Sequence, residues 1–315
     1  GSYLAFDEKT FVPCEQEGHE IYCGPGNYPP VPCYLLLNDG KGHFNLTSFT
    51  DGRFLDDEGK PVSELKDWGL LVRFQDMDND GDPDIYVCND FWSPDRIWIN
   101  DGTGRFQAIS KLSIRHTSKF TMGVDFSDID RDGDLDFLLM DMLPQEHGRR
   151  LKQMGMGISD FPPTGIGQIG NRPQIKRNTL FMNRGDNTYA EIGQISGVQA
   201  SEWTWSILFL DIDLDGYEDI LATNGQLYDF EDTDTNNRVQ RLLAMGLDYH
   251  QLPALYPSYL TPNVAFRNKG NLTFEDVSQK WGFTMPDISW GMSLADFDND
   301  GDLDIITNRL NVSAG

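Results

Sequence analysis

The chain has 315 residues, a formal net charge of −25 and 39% hydrophobic side chains, enough to bury a large core as one repeat array or two ordinary domains. Fifty acidic against 25 basic residues exclude nucleic acid as a partner, because phosphates need a basic face. No apolar run approaches the ~18 residues of a membrane span.

The N-terminal stretch enters in the middle of a repeat unit, with 2–6 expected as a strand. A Pro/Gly-rich segment comes next, in which Cys14, Cys23 and Cys33 lie close together. It reads as a locally stapled loop from an oxidising compartment, with Cys14 and Cys23 the candidate pair, or else as free buried thiols; Cys88 lies farther along the chain. Zinc is disfavoured, since no CxxC pair and no His pair stands nearby.

From there an Asp-rich nonapeptide recurs four times: Asp76, Asp78, Asp80, Gly81, Asp82, Asp84; then Asp128, Asp130, Asp132, Gly133, Asp134, Asp136. The third copy is Asp211, Asp213, Asp215, Gly216, Tyr217, Asp219, and the fourth Asp296, Asp298, Asp300, Gly301, Asp302, Asp304. Each sits between two apolar runs, such as WGLLVRFQ before and IYVCN after the first. A second motif alternates with it: LLLNDGKGHF, IWINDGTGRF, LFMNRGDNTY and AFRNKGNLTF place Asn38, Asn100, Asn183 and Asn268 in register. An apolar strand, an Asn-x-Gly turn and a second strand describe a β-hairpin.

The unit is therefore strand, acidic loop, strand, connection, strand, hairpin turn, strand. Four short strands per unit is the pattern of propeller blades. The fold class predicted is all-β, a β-propeller of four-stranded antiparallel blades with about four repeats present and further blades expected beyond them. Units fall at roughly 1–50, 69–110, 121–193, 204–278 and 290–308, within a single propeller segment 1–315. Two partly helical insertions, 143–177 and 224–262, join second to third strands.

Carboxylates at positions 1, 3, 5 and 9 of so tight a loop repel one another unless a cation sits among them. Ca2+ suits them, taking six to eight oxygens in tolerant geometry, with Gly at position 6 for the sharp turn and the position-7 carbonyl as a further ligand. About four Ca2+ sites are expected. The loops are not EF-hands, because the twelfth position holds Val87, Leu139, Ala222 or Thr307 instead of Glu. Mg2+ fits less well, since it keeps its waters.

These repeats resemble the FG-GAP/VCBS repeat of integrin α-chain propellers and bacterial exported proteins. The Asn-x-Gly hairpins and the Cys23-Gly24-Pro25 segment are similar to the cartilage acidic protein/UnbV group. That resemblance implies a propeller, typically seven-bladed, with Ca2+ in the loop between the first and second strands of each blade. It implies as ligands the Asp residues at positions 1, 3, 5 and 9 with the carbonyls of Asp82, Asp134, Tyr217 and Asp302. It also implies an exported protein, extracellular, at the cell surface or periplasmic.

In an up-and-down blade the second-to-third connections emerge opposite the acidic loops, so the insertions and the Cys segment gather on the other face. Long loops on a rigid scaffold are where binding function is usually placed. The second insertion carries a helical stretch, 237–247, and Tyr249, Tyr256 and Tyr259; the first carries a basic island of His147, Arg149, Arg150 and Lys152. A protein or glycan partner on this face is the expected function. The alternative is a calcium-dependent lyase or hydrolase acting on polysaccharide, but no acid/base pair stands apart from the Asp loops. Gly165, Gly167 and Gly170 match a dinucleotide fingerprint by letter only, since no strand precedes them and Pro173 interrupts the helix that the fingerprint requires.

Overall fold

The computed structural model describes residues 28–62, 65–153, 172–248, 251–284 and 286–310, with the backbone of two short strands at 14–16 and 19–21. The expected strand at 2–6, the Cys23 side of the proposed staple, the glycine triplet at 165–170 and Tyr249 lie outside these residues, as does the side chain of Cys14. Cys33 and Cys88 are free thiols, and burial pushes both of them up from the usual thiol range.

The protein is mostly β, a propeller-like all-β fold, and it divides into two compact units. The first ends at Thr121 and takes in residues 172–175 and Gly185–Thr188; the second starts at Met122 and takes in Lys176–Arg184 and the described residues from Tyr189 onward.

In the first unit, β1 (Tyr34–Asn38) and β2 (Phe44–Ser48) form a two-stranded hairpin. A full blade comes after it: β3 (Gly69–Gln75), β4 (Asp84–Asn89), β5 (Arg96–Asn100) and β6 (Phe106–Ala108) pair antiparallel in that order. A short strand at Phe54–Leu55 adds in parallel to β6, and Phe54 stacks between Phe49 (centroids 3.9 Å apart) and Phe106 (5.1 Å). These rings, with Ile85, Val87 and Trp98, are the core of the unit.

The second unit holds two more blades. One is β7 (Gly123–Ser127), β8 (Asp136–Met140), β9 (Thr179–Asn183) and β10 (Tyr189–Glu191). The other is β11 (Glu202–Leu210), β12 (Asp219–Asn224), β13 (Val264–Asn268) and β14 (Phe274–Asp276), and β15 (Ile288–Ala295) pairs with β16 (Asp304–Leu310) as a separate two-stranded sheet. Leu138, Met140, Leu180, Ile207, Ile220, Val264 and Phe266 form its main core.

Each second strand of a full blade (β4, β8 and β12) is buried at every residue, which is why IYVC, FLLM and ILAT read as continuous apolar runs instead of alternating ones. The two-stranded sheets differ: Leu36, Phe44 and Leu46 of β1–β2, and Ile305 and Ile306 of β16, are exposed.

Both insertions lie between the second and third strands of their blades. The first contains α1 (His147–Gln153) and the second α2 (Thr233–Ala244), four residues earlier than the expected helix start. Asp232 caps α2 by accepting from the Thr235 N–H at 2.7 Å, and Gly246 ends it at a φ of 86°.

Of the basic island and the tyrosines expected on a binding surface, Arg149, Arg150, Lys152, Tyr256 and Tyr259 make contacts within the second unit, and His147 is exposed. Arg149 lies over the Tyr259 ring at 5.2 Å and reaches Glu202, which also accepts from the buried Tyr259 hydroxyl at 3.2 Å. Arg150 donates to the carbonyls of Pro144 and Gln145, Lys152 pairs with Asp232, and Tyr256 donates to Asn236 at 2.7 Å. Behind them Lys176 meets the buried Glu231 at 2.6 Å. The reason is electrostatic: the second insertion supplies Asp229, Glu231 and Asp232, and carboxylates held this far from water require cations close by. No helix among the described residues is long and apolar enough to cross a membrane.

Candidate metal centres

Each Asp loop joins the first two strands of its sheet and folds by the same hydrogen bonds. The position-1 carboxylate accepts from the Gly N–H at position 6: Gly81 to Asp76 at 2.9 Å, Gly133 to Asp128 at 2.9 Å, Gly216 to Asp211 at 2.8 Å and Gly301 to Asp296 at 3.1 Å. The position-5 carboxylate accepts from the N–H of position 7, as Asp80 does from Asp82, Asp132 from Asp134, Asp215 from Tyr217 and Asp300 from Asp302. These bonds curl the backbone so that alternate side chains converge, and glycine at position 6 takes a φ of 90° to 98° in all four copies.

Position 4 is left-handed in every copy as well: Asn79, Arg131, Leu214 and Asn299 have φ between 56° and 66°. Asparagine tolerates this backbone, while a leucine suffers a clash between Cβ and carbonyl. Leu214 is 78% exposed and has no packing to offset that strain. Leu214→Asn is therefore expected to raise stability by about 1 kcal/mol, measurable by urea unfolding.

Position 9 is the buried end of the loop. Asp84 accepts from the N–H groups of Met77 and Asn100, Asp136 from Ile129 and Asn183, and Asp219 from Ile212 and Asn268, all at 2.7–3.0 Å. The hairpin asparagines complete the junction through their side chains. Asn100, Asn183 and Asn268 donate Nδ2 to the carbonyls of Pro83, Leu135 and Glu218, and Asn100 and Asn268 accept from the N–H of the turn glycine. The two alternating sequence motifs are thus one device, which ties the acidic loop to the turn of the same blade. Among the described residues, Asp304 receives only the first half, from Phe297 N–H at 2.9 Å, and β15–β16 is a two-stranded sheet.

One oxygen each from Asp76, Asp78 and Asp84 lie within 4.8 Å of one another, as do those of Asp128, Asp130 and Asp136, of Asp211, Asp213 and Asp219, and of Asp296, Asp298 and Asp300. That spacing is about twice a Ca–O distance of roughly 2.4 Å, so each set can converge on one ion. The position-5 residues Asp80, Asp132 and Asp215 stand outside these sets, Asp300 stands inside its set, and Asp304 does not. Asp82, Asp134 and Asp302 contribute no side chain to them. Asp82 packs instead against the turn of its blade, where a Cβ on Gly102 would meet its carboxylate at 2.6 Å.

Whether the site suits a cation is tested by its unpaired atoms. Among the described residues, Asp76 Oδ1, Asp78 Oδ1 and Asp130 Oδ1 are buried carboxylate oxygens with no hydrogen-bond partner. A buried oxygen of this kind is costly unless something positive meets it. The pKa directions agree: burial and then neighbouring carboxylates push Asp78 and Asp130 up from the ordinary range. Burial pushes Asp84 up to about 6, Asp136 to about 7 and Asp219 to about 6, against the lowering effect of their two N–H donors. Hard oxygens, three to five per loop and all carboxylate or carbonyl, are the donor set of Ca2+.

The opposite end of the first blade carries a feature that its sequence does not mark. The β4–β5 connection holds Phe91 at a φ of 56°, and next to it Trp92, 55% exposed. Trp92 stacks on Phe91 (5.5 Å) and meets the edge of Trp68 (5.4 Å), and Phe91 meets the edge of Phe120 (5.9 Å). Gln174 Nε2 donates to the carbonyls of Phe91 and Ser93 at 3.0 Å, and the buried Asp95 accepts from Asn89 N–H, Tyr86 and Thr121. A bulky residue held left-handed in an over-determined turn marks a place where geometry is kept at a cost in strain.

The family model of the FG-GAP-like repeat matches residues 76–139, 169–222 and 255–307. No curated protein matches the chain in sequence. Among chains of solved structure, it is similar to an Agrocybe aegerita lectin described as recognising non-reducing terminal N-acetylglucosamine, at 15% identity, with 89% of this chain and 70% of that one covered and a TM-score of 0.30.

Proposed function

This chain belongs to the FG-GAP-like repeat family, and on that premise we propose that it is an exported, calcium-stabilised binding module with a glycan ligand. The observation that supports it above others is the set of buried, unpartnered carboxylate oxygens in the Asp76 and Asp128 loops, which call for a divalent ion. Asp76, Asp78 and Asp84, with the Asp82 carbonyl, would hold the ion of the first loop; Asp128, Asp130 and Asp136, with the Asp134 carbonyl, that of the second. The ion supplies positive charge to the loop, and the loop fastens the first two strands of the blade.

We infer that binding occurs at the other end of the first blade, on the Trp92 platform. The apolar face of a sugar ring packs on an exposed indole, and a platform already fixed by Gln174, Asp95 and Phe91 loses little entropy on binding. With the protein in Ca2+ on a glycan array, Trp92→Ala is expected to weaken the wild-type signal by about 30-fold, the effect of losing a central aromatic contact. Its melting temperature should stay close to wild type, since the side chain is largely in solvent. An array on which wild type and Trp92→Ala bind alike would remove the platform from the proposal.

A further inference from the structure

The third Asp loop differs from the first two in one respect that bears on its ion. In β13 the residue before the hairpin asparagine is Arg267, where the other two full blades carry Ile99 and Met182. From that register the guanidinium reaches back over the end of the sheet. Its Nε donates to Asp213 Oδ2 and its Nη2 to Asp215 Oδ2 at 2.5 Å, so one planar fork bridges the position-3 and position-5 carboxylates. The loops with isoleucine or methionine at this place leave Asp76 Oδ1, Asp78 Oδ1 and Asp130 Oδ1 unpartnered; no oxygen of the third loop is in that state among the described residues. A second guanidinium stands beside it, Arg131 over the Tyr217 ring at 4.9 Å, where tyrosine replaces the aspartate of the other copies.

We propose that Arg267 is a resident counter-cation of the third loop, so that this loop takes Ca2+ more weakly than the Asp76 and Asp128 loops do. The inference rests on the calcium reading above. A dication entering among Asp211, Asp213 and Asp219 must displace the guanidinium from Asp213 or share the carboxylate with it. Either course loses charge-assisted hydrogen bonds or adds like-charge repulsion. The fork adds a cation bridge between two carboxylates of the third loop without metal. The third blade is then formed at low Ca2+ while the others await the ion.

Calcium titration by calorimetry, with native mass spectrometry to count ions, tests this on wild type, Arg267→Met, Arg267→Lys and Asp213→Asn. Wild type is expected to show tight steps and a weaker one, and Asp213→Asn to lose the weak step alone. Arg267→Met, which installs the second blade's residue, should tighten that step by about 10-fold or more, and Arg267→Lys by less, because it keeps the charge and loses the fork. A crossing in melting temperature gives an independent readout: Arg267→Met should melt below wild type in chelator and above it in excess Ca2+. Loss of a tight step in Asp213→Asn, or an unchanged weak step in Arg267→Met, overturns the assignment of Arg267 and leaves the calcium reading intact. A wild-type protein that binds no Ca2+ at all overturns both.

Discussion

Chelation of divalent ions is expected to lower the melting temperature by about 5–10 °C for each ion lost. An ion at 100 times its dissociation constant adds about 2.7 kcal/mol to the folded state, and a unit of this size shifts by about 2–4 °C per kcal/mol. The size of the loss should depend on pH. In the metal-free protein burial holds Asp84 up at about 6, Asp136 at about 7 and Asp219 at about 6. An ordinary aspartate in the unfolded chain titrates near 3.9. The folded metal-free state therefore binds more protons than the unfolded one between about pH 4 and 7, and its stability falls as pH rises through that window. Calcium acts in the opposite sense, since it needs the carboxylates ionised. Scanning calorimetry with Ca2+ and with chelator should show a small difference at pH 5 and the full one at pH 8. A melting temperature indifferent to chelator at pH 8 would refute the calcium reading.

Asp219→Ala is expected to cost about 4 kcal/mol in chelator, and more in Ca2+, because Asp219 is also one of the carboxylates that converge in its loop. Asp219 is fully buried and accepts the N–H groups of Ile212 and Asn268, one from its own loop and one from the turn of its blade. Truncation strands two backbone donors away from water, at roughly 1–3 kcal/mol each, and loses their bonds to a charged acceptor. Asp304→Ala is the internal control. The same position in the fourth copy is exposed and holds a single donor, Phe297, so its loss should stay within about 1 kcal/mol. Chemical unfolding of both variants in chelator separates this lock from the ion. Equal costs at the two positions would show that burial of the junction is not what stabilises it.

Much of the fold was readable because a blade is built from neighbours in the chain. Strand, Asp loop, strand, Asn-x-Gly turn and strand pair with their nearest neighbours along the backbone, so each blade writes its pattern directly into the sequence and repeats it. The same locality made the converging carboxylates legible, for positions 1 and 3 are brought together by a turn of nine residues whatever the rest of the protein does. The left-handed position 4 was equally local and still left no mark, since Asn, Arg and Leu share no chemistry that would signal it.

What the chain could not show was where a side chain finds its partner. Arg149, Arg150 and Lys152 read as an exposed basic patch, and they are engaged by Glu202, Asp232 and two carbonyls that the fold brings to them. Arg267 lies far along the chain from the carboxylates it bridges, and the Trp92 platform gathers rings from 68, 91 and 120. By itself the sequence determined the repeat, the class of fold and the nests of carboxylates, because each depends on spacing along a few residues of backbone. Only tertiary structure decided which charges were already answered and which aromatic rings were left in solvent, because the cost of a buried charge depends on what lies within a few ångströms in space.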